Sequence, residues 1–133
     1  MCQVMIITGS RTAEEMMWSA IEDLIDVGVD IEIKTLVKNC SIYEIKEAVT
    51  ESKANAFVVG SSMATSLASY IAAFTSQPVI GVPLDMENED DILDLFKVEG
   101  LPTGTPYMIT DIDDGKTAAK TALEILKNSL LLR

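Results

Sequence analysis

Short apolar runs alternate along the chain with longer stretches in which apolar residues recur at helical spacing. Gln3–Thr8 (QVMIIT) is nearly continuous in apolar residues, the pattern of a strand covered on both faces. Gly9-Ser10 breaks it, and Thr12 with Glu15 makes a Thr-x-x-Glu capping box for a helix start. Met17, Ala20, Ile21 and Leu24 continue at helical spacing, and Gly28 stands where a C-cap is expected. Asp30–Val37 alternates, with Ile31, Ile33, Thr35 and Val37 set against Glu32 and Lys34, and predicts a second strand nearer a sheet edge. Ser41 and Glu44 form another box, before a helix that packs through Ile42, Ile45, Ala48 and Val49. Ala56–Val59 is the third strand, ending at Gly60-Ser61-Ser62, and Met63–Phe74 is an alanine-rich helix packing through Ala64, Leu67, Ala68 and Ile71. Val79–Val82 lies between prolines as the fourth strand. Asn88–Lys97 reads as an acidic-start helix, Tyr107–Ile112 as the fifth strand, and Thr117–Leu131 as a closing helix.

Strands separated by helices predict βαβ units and a parallel sheet. The pattern fits an α/β fold with a flavodoxin-like doubly wound sheet in the order 2-1-3-4-5 and right-handed crossovers. With 133 residues, one domain over residues 1–133 is expected, large enough to need no disulfide or metal staple. The composition, 48% hydrophobic but only 5% aromatic, suits a helix-covered parallel sheet better than an aromatic-rich sandwich.

Charge narrows the partners. Twenty-one acidic against ten basic side chains give a formal net charge of −11, which repels nucleic acid and anionic lipid. A small phosphorylated ligand is still compatible, because backbone N–H groups at a helix start hold phosphate without a basic patch. No apolar run approaches the roughly 20 residues that span a bilayer. Gln3–Thr8 reads as a strand and not as a signal-peptide core, and Cys2 and Cys40 form no CxxC pair, so a cytoplasmic setting with reduced thiols is expected. The chain contains no histidine.

In an open doubly wound sheet, ligands bind beyond the carboxyl ends of the strands where the strand order reverses. Here that point lies between strands one and three, at Gly9-Ser10-Arg11-Thr12 and Gly60-Ser61-Ser62-Met63, with Lys38-Asn39-Cys40-Ser41 bordering the same crevice. Glycine admits close backbone approach, hydroxyls donate hydrogen bonds, and a helix start favours an anion. The same residues are equally plain helix caps. Neither the GxGxxG fingerprint nor the GxxxxGK[ST] loop is present, and no aspartate ends strand one.

The segments Ile6-Ile7-Thr8-Gly9-Ser10, Pro78-Val79-Ile80-Gly81-Val82-Pro83 and Leu101-Pro102-Thr103-Gly104-Thr105-Pro106 resemble the carboxyaminoimidazole ribonucleotide mutase family, the purE-type aminoimidazole ribonucleotide carboxylases. The likeness runs from about Val4 to Leu126, nearly the whole chain. It implies a three-layer α/β/α fold assembled into homo-oligomers, commonly octamers. It also implies a site for a 5-aminoimidazole ribonucleotide, whose carboxyl group moves from the exocyclic nitrogen to a ring carbon or is added as carbon dioxide, with no metal or organic cofactor. The family's phosphate and ribose loop, G-S-x-S-D, falls on Gly9-Ser10-Arg11-Thr12-Ala13, so Ala13 stands where the ribose-binding aspartate would be. The family's S-A-H-R segment falls on Val37-Lys38-Asn39-Cys40, which puts Asn39 in place of a general acid/base histidine and Cys40 in place of an arginine. The loop G-A-G-G-A-A-H-L-P-G falls on Gly60-Ser61-Ser62-Met63-Ala64-Thr65-Ser66-Leu67-Ala68-Ser69, where Ser66 replaces a second histidine and Ser62 and Met63 replace glycines.

Moving a carboxyl group on an imidazole carbon requires a proton to be exchanged there, and general acid–base help for such a step is worth about 10²–10⁴ in rate. Asn39 cannot titrate. Cys40 is the best local substitute, with Lys38 and a following helix start to lower its pKa; the alternative is an ordinary small residue at a strand exit. Met63 adds bulk where a loop glycine would let the backbone approach a ligand, so the loop path differs or the pocket is smaller. Asp85, Glu87, Glu89, Asp90, Asp91 and Asp94 read as a solvated acidic surface at a helix start. Met16, Met17 and Trp18 read as packing or oligomer contacts, and Leu130-Leu131-Leu132 as a segment covered by another subunit.

Overall fold

The computed structural model describes residues 3–37, 41–87, 89 and 104–131, with side chains to residue 129. In chain order its elements are β1 Val4–Thr8, α1 Arg11–Met16, α2 Trp18–Asp26, β2 Ile31–Thr35, α3 Ile42–Glu51, β3 Ala56–Ser61, α4 Ala64–Ala72, β4 Val79–Pro83, β5 Met108–Ile109 and α5 Gly115–Leu131. The five strands form one sheet in the order β2-β1-β3-β4-β5. Every described pairing is parallel, and Val4 of β1 faces Ile31 of β2 on one side and Ala56 of β3 on the other. The expected flavodoxin-like α/β arrangement is present, with helices on both faces.

Successive strand side chains point to opposite faces. Met5, Ile7, Phe57, Val59 and Val79 enter a core cluster with Ile42, Ile45 and Val49 of α3 and Leu67 and Ile71 of α4. Val4, Ile6, Ala56, Val58, Ile80 and Val82 enter the opposite cluster with Ala13 of α1, Ile21 and Leu24 of α2, and Ala118 and Ala122 of α5. Strands covered on both faces have no polar side, so their sequences lose alternation. The outer strand β2 keeps it, with Glu32 exposed between half-buried Ile31 and Ile33.

Several boundaries differ from the sequence expectation. Ser10, not Thr12, caps α1: its side chain accepts from the Ala13 backbone N–H at 3.2 Å. The chain turns as soon as β1 ends, with Glu14 N already bonded to Ser10 O at 3.0 Å, so Thr12 and Glu15 lie inside the helix. The first helix is also divided at Met17. Gly28 does end α2, with φ 84 and bonds from Gly28 N to Ile25 O and from Val29 N to Leu24 O, a Schellman cap. Ser41 caps α3 as expected, accepting from Glu44 N at 3.3 Å. The strand β3 runs on through Gly60 and Ser61, which pair with Val82 and Pro83, so these two residues are sheet rather than loop. The helix α4 begins at Ala64, one residue after Met63. The fifth strand shrinks to Met108–Ile109, because beyond Thr110 the chain turns through Asp113 (φ 58), whose N–H reaches Pro83 O at 2.8 Å. The closing helix starts two residues early, at Gly115. The expected helix Asn88–Lys97 lies outside the described residues except for Glu89, as do the side chains of Leu130 to Leu132.

Candidate functional site

Three strands end together where the order reverses. Thr8, the last residue of β1, pairs with Thr35 of β2 and Gly60 of β3. Gly9 N then donates to Gly60 O at 2.9 Å, and Leu36 N to Thr8 O at 2.8 Å. The turns after β1 and β3 are thus held side by side, bringing Gly9–Ala13 next to Gly60–Ala64.

On the β1 side, Gly9 is buried, Ser10 half-buried, and Arg11 and Thr12 exposed. Ser10 Oγ spends an acceptor on its cap and keeps its own proton to donate. Ala13 is fully buried in the core cluster with Met17 and Ile21, so its methyl group faces inward. A chain of hydroxyls crosses beneath this turn: Thr8 Oγ1 donates to Thr35 Oγ1 at 2.9 Å, and Thr35 Oγ1 donates to Glu14 Oε1. Thr8 is completely buried, so this chain satisfies a hydroxyl that water cannot reach.

On the β3 side, the space above Gly60 is filled from within. A Cβ there would lie 2.6 Å from Met17 Cγ, so the close approach that glycine permits is made by Met17. Ser61 is buried, and its hydroxyl donates to Glu89 Oε1 while accepting from Met63 N at 3.0 Å. Glu89 Oε1 also accepts from Ser62 N at 3.1 Å and Ser62 Oγ at 3.2 Å, and Glu89 N returns a bond to Ser62 Oγ at 3.1 Å. Glu89 is only 8% exposed, which corrects its placement on a solvated acidic face; Asp85 and Glu87 are exposed as expected. Its second oxygen, Oε2, is buried and has no hydrogen-bond partner among the described residues.

Met63 has φ −119, outside the left-handed region, so methionine fits this turn without strain. Its half-buried side chain packs on the cluster under α3 and α4. Ala64 is buried at the start of α4, and Ser66 lies half-buried two residues along. Lys38, Asn39 and Cys40 lie outside the described residues. Met17 belongs to the core, whereas Met16 and Trp18 are exposed. Farther along the same end of the sheet, Asp114 accepts from Thr117 Oγ1 at 2.6 Å and from Thr117 N at 3.1 Å, as a cap for α5. The hydroxyl bond, then the backbone bond, hold its carboxyl below the ordinary value of 3.8.

Sequence reasoning missed Glu14, Thr35 and Glu89. Thr8 and Thr35 each carry a weak signal, a hydroxyl closing a strand. Glu89 carries none, because neighbouring carboxylates in the run Glu87–Asp91 are indistinguishable from it in sequence.

This architecture, with the turns after β1 and β3 joined at the carboxyl edge where the strand order reverses, defines a flavodoxin-like doubly wound α/β protein. The crystal structure of diflavin flavoprotein A3 from Nostoc sp. superposes with a TM-score of 0.52 at 19% identity, covering 99% of this chain and 98% of that one, and so shares the fold. The family model described as AIR carboxylase matches residues 3–130, and the chain belongs to that family. It is 32% identical to the N5-carboxyaminoimidazole ribonucleotide mutase of Methanocaldococcus jannaschii over 123 residues, 92% of this chain and 78% of that protein. The protein of the same name from Pyrococcus abyssi is 33% identical over 129 residues, 95% of this chain and 74% of its own length. The phosphoribosylaminoimidazole carboxylase of Saccharomyces cerevisiae is 29% identical over 124 residues, which are 22% of that longer chain. Among the described residues no helix is long and apolar enough to cross a membrane, and no group of three or more His, Cys, Asp or Glu side chains is placed to hold a metal ion.

Proposed function

We propose that this chain is an aminoimidazole ribonucleotide carboxylase/mutase-type protein of de novo purine (IMP) biosynthesis whose proton-handling site has been altered. The observation that carries this proposal is the joined exit of β1 and β3, tied by the Gly9–Gly60 hydrogen bond, in a chain that belongs to the AIR carboxylase family. The ligand is a phosphorylated 5-aminoimidazole ribonucleotide, bound along Gly9, Ser10, Arg11, Thr12 and Ala13 and along Gly60, Ser61, Ser62, Met63 and Ala64, with Lys38 at the border. Asn39, Cys40 and Ser66 stand at the positions of the family's catalytic groups, and no metal or organic cofactor enters. Exposed Trp18 and Ile25 on α2 with Val27 just beyond it, and Tyr107, Met108, Ile109 and Ile112 at and beside the β5 edge, support a homo-oligomer. The setting is cytoplasmic.

The absence of histidine from the whole sequence favours a second reading, a non-catalytic paralogue that binds the nucleotide and assembles with itself or with a catalytic relative. One experiment separates the two. Purified protein is given aminoimidazole ribonucleotide and its carboxylated forms, with turnover followed by ultraviolet absorbance and binding by thermal shift. Turnover lost in Cys40→Ala identifies the thiol as the proton carrier, and turnover that survives it removes that role. Saturable binding without turnover supports the paralogue. If neither binding nor turnover occurs, the ribonucleotide is the wrong ligand class.

A further inference from the structure

We infer that the groove between α2 and α5 is a contact between copies of this chain, with α2 of each copy lying on α5 of the other. The inference deepens the homo-oligomer proposed above by naming its surface, and it is independent of the ribonucleotide ligand. Both helices lie on the sheet face that holds Val4, Ile6 and Ile80. They run side by side in the same direction: a Cβ on Gly115 would stand 3.1 Å from Ala20 Cβ near the two starts, and Val27 and Leu123 border one groove farther along. That groove has a volume of about 180 Å³. Buried Leu24 and Ala119 form its floor. Val27, 58% exposed at the C-cap of α2, and half-buried Leu123 bring apolar surface to its rim.

Charge identifies the occupant. The α5 wall carries Lys116 and Lys120, and exposed Lys127 continues their stripe at helical spacing. The α2 wall carries Asp23, with exposed Glu22 and Asp26 beside it. Three of the ten basic residues of a chain with net charge −11 thus share one helix flank. Among the described residues none of these six side chains is in an ion pair. Nor do the stripes serve their own helices. Asp26 ends α2 and Lys116 lies in the first turn of α5, where the helix dipole opposes each sign. A polyanion or a polycation would be drawn to one stripe and repelled by the other. A second copy satisfies both. A two-fold axis along the groove keeps every residue at its own height and exchanges the helices, setting Asp23 over the lysines of the other copy and Val27 over its Leu123. Copies of charge −11 repel over the rest of their surfaces, so the contact falls where the cations are gathered.

Charge reversal in the full chain tests this contact, with molar mass followed by analytical ultracentrifugation over a concentration series. One variant is Asp23→Lys with Asp26→Lys, the other Lys116→Glu with Lys120→Glu. The reversals at Asp26 and Lys116 agree with the helix dipoles, and circular dichroism checks that both variants fold. The wild type self-associates, more weakly as salt is raised. Each variant alone meets like charges twice across the axis, and its self-association falls at least about a hundredfold. The equimolar mixture pairs new lysines with new glutamates and native lysines with native aspartates, and recovers the wild-type mass. Should a reversed variant not fold, Val27→Asp sets a charge into the apolar seam and lowers the mass in its place; an unchanged mass there overturns the inference. Unchanged mass in both reversed variants also overturns it and leaves an oligomer built on another face. A mixture that stays dissociated overturns the pairing of α2 with α5. A monomeric wild type overturns the inference together with the homo-oligomer, whatever ribonucleotide binding shows.

Discussion

Gly60 is the point where the sheet, the crevice and the break in the first helix meet, and Gly60→Ala tests how they are coupled. An added Cβ would stand 2.6 Å from Met17 Cγ and 2.9 Å from Met17 Sδ, against about 3.5–4.0 Å for an ordinary contact. Met17 has little room to retreat. It is 1% exposed, and its Sδ lies 3.4 Å from where a Cβ of Gly115 would stand, so it is wedged between two glycines. Overpacking of this kind costs about 1–3 kcal/mol. Alanine regains about 0.5–1 kcal/mol over glycine in a strand, so the net loss is about 0–2.5 kcal/mol. For a chain of this size that is at most about 10 °C in Tm. Met17→Ala alone leaves a cavity and costs about 2–5 kcal/mol. In the Met17→Ala background the clash is gone, so Gly60→Ala becomes neutral or stabilising, and the double-mutant cycle shows a coupling of about 1–3 kcal/mol. Urea unfolding monitored by circular dichroism measures all four proteins, with unchanged m-values required for the comparison. A Gly60→Ala cost that is the same in both backgrounds, within about 0.5 kcal/mol, refutes the claim that Met17 is what this glycine makes room for.

Three further perturbations test the site's framework. Thr35→Val keeps the shape but strands the buried Thr8 hydroxyl, and should cost about 1–3 kcal/mol in chemical denaturation, whereas Thr35→Ser should cost much less. Ser10→Ala should lose about 1 kcal/mol with the cap of α1, and exposed Thr12→Ala should stay within about 0.5 kcal/mol of wild type; the reverse order would restore the Thr12 box. Because the Asp114 carboxyl is held below 3.8, the stabilisation from its charge is present above that pH and is lost as pH falls through the depressed native value. Asp114→Asn retains a capping oxygen but no charge, so its Tm deficit should be constant above about pH 4 and close in more acidic buffer. A deficit that persists unchanged at low pH would show that the ionised carboxylate contributes nothing.

The sequence by itself determined the sheet. Apolar runs such as Val4–Ile7 and Ala56–Val59 admit only strands buried on both faces, and helices of the right spacing between them leave few topologies other than the observed order. It also located the point where the strand order reverses, and the Ser41 cap and Gly28 terminus, which are local hydrogen-bond patterns within a few residues. Tertiary structure decided what local patterns leave degenerate. Thr12 and Ser10 are both competent caps, and only the abrupt turn tied by Gly9 to Gly60 selects Ser10. Gly60 is silent in sequence about whether a ligand or a side chain approaches it; Met17, forty-three positions earlier, answers that. Glu89 looks like any acidic surface residue until the end of β3 brings Ser61 and Ser62 against it. The cause is the same in each case: secondary structure is set by near neighbours, whereas a buried charge or a filled gap depends on residues that only the folded chain brings within hydrogen-bond or van der Waals reach.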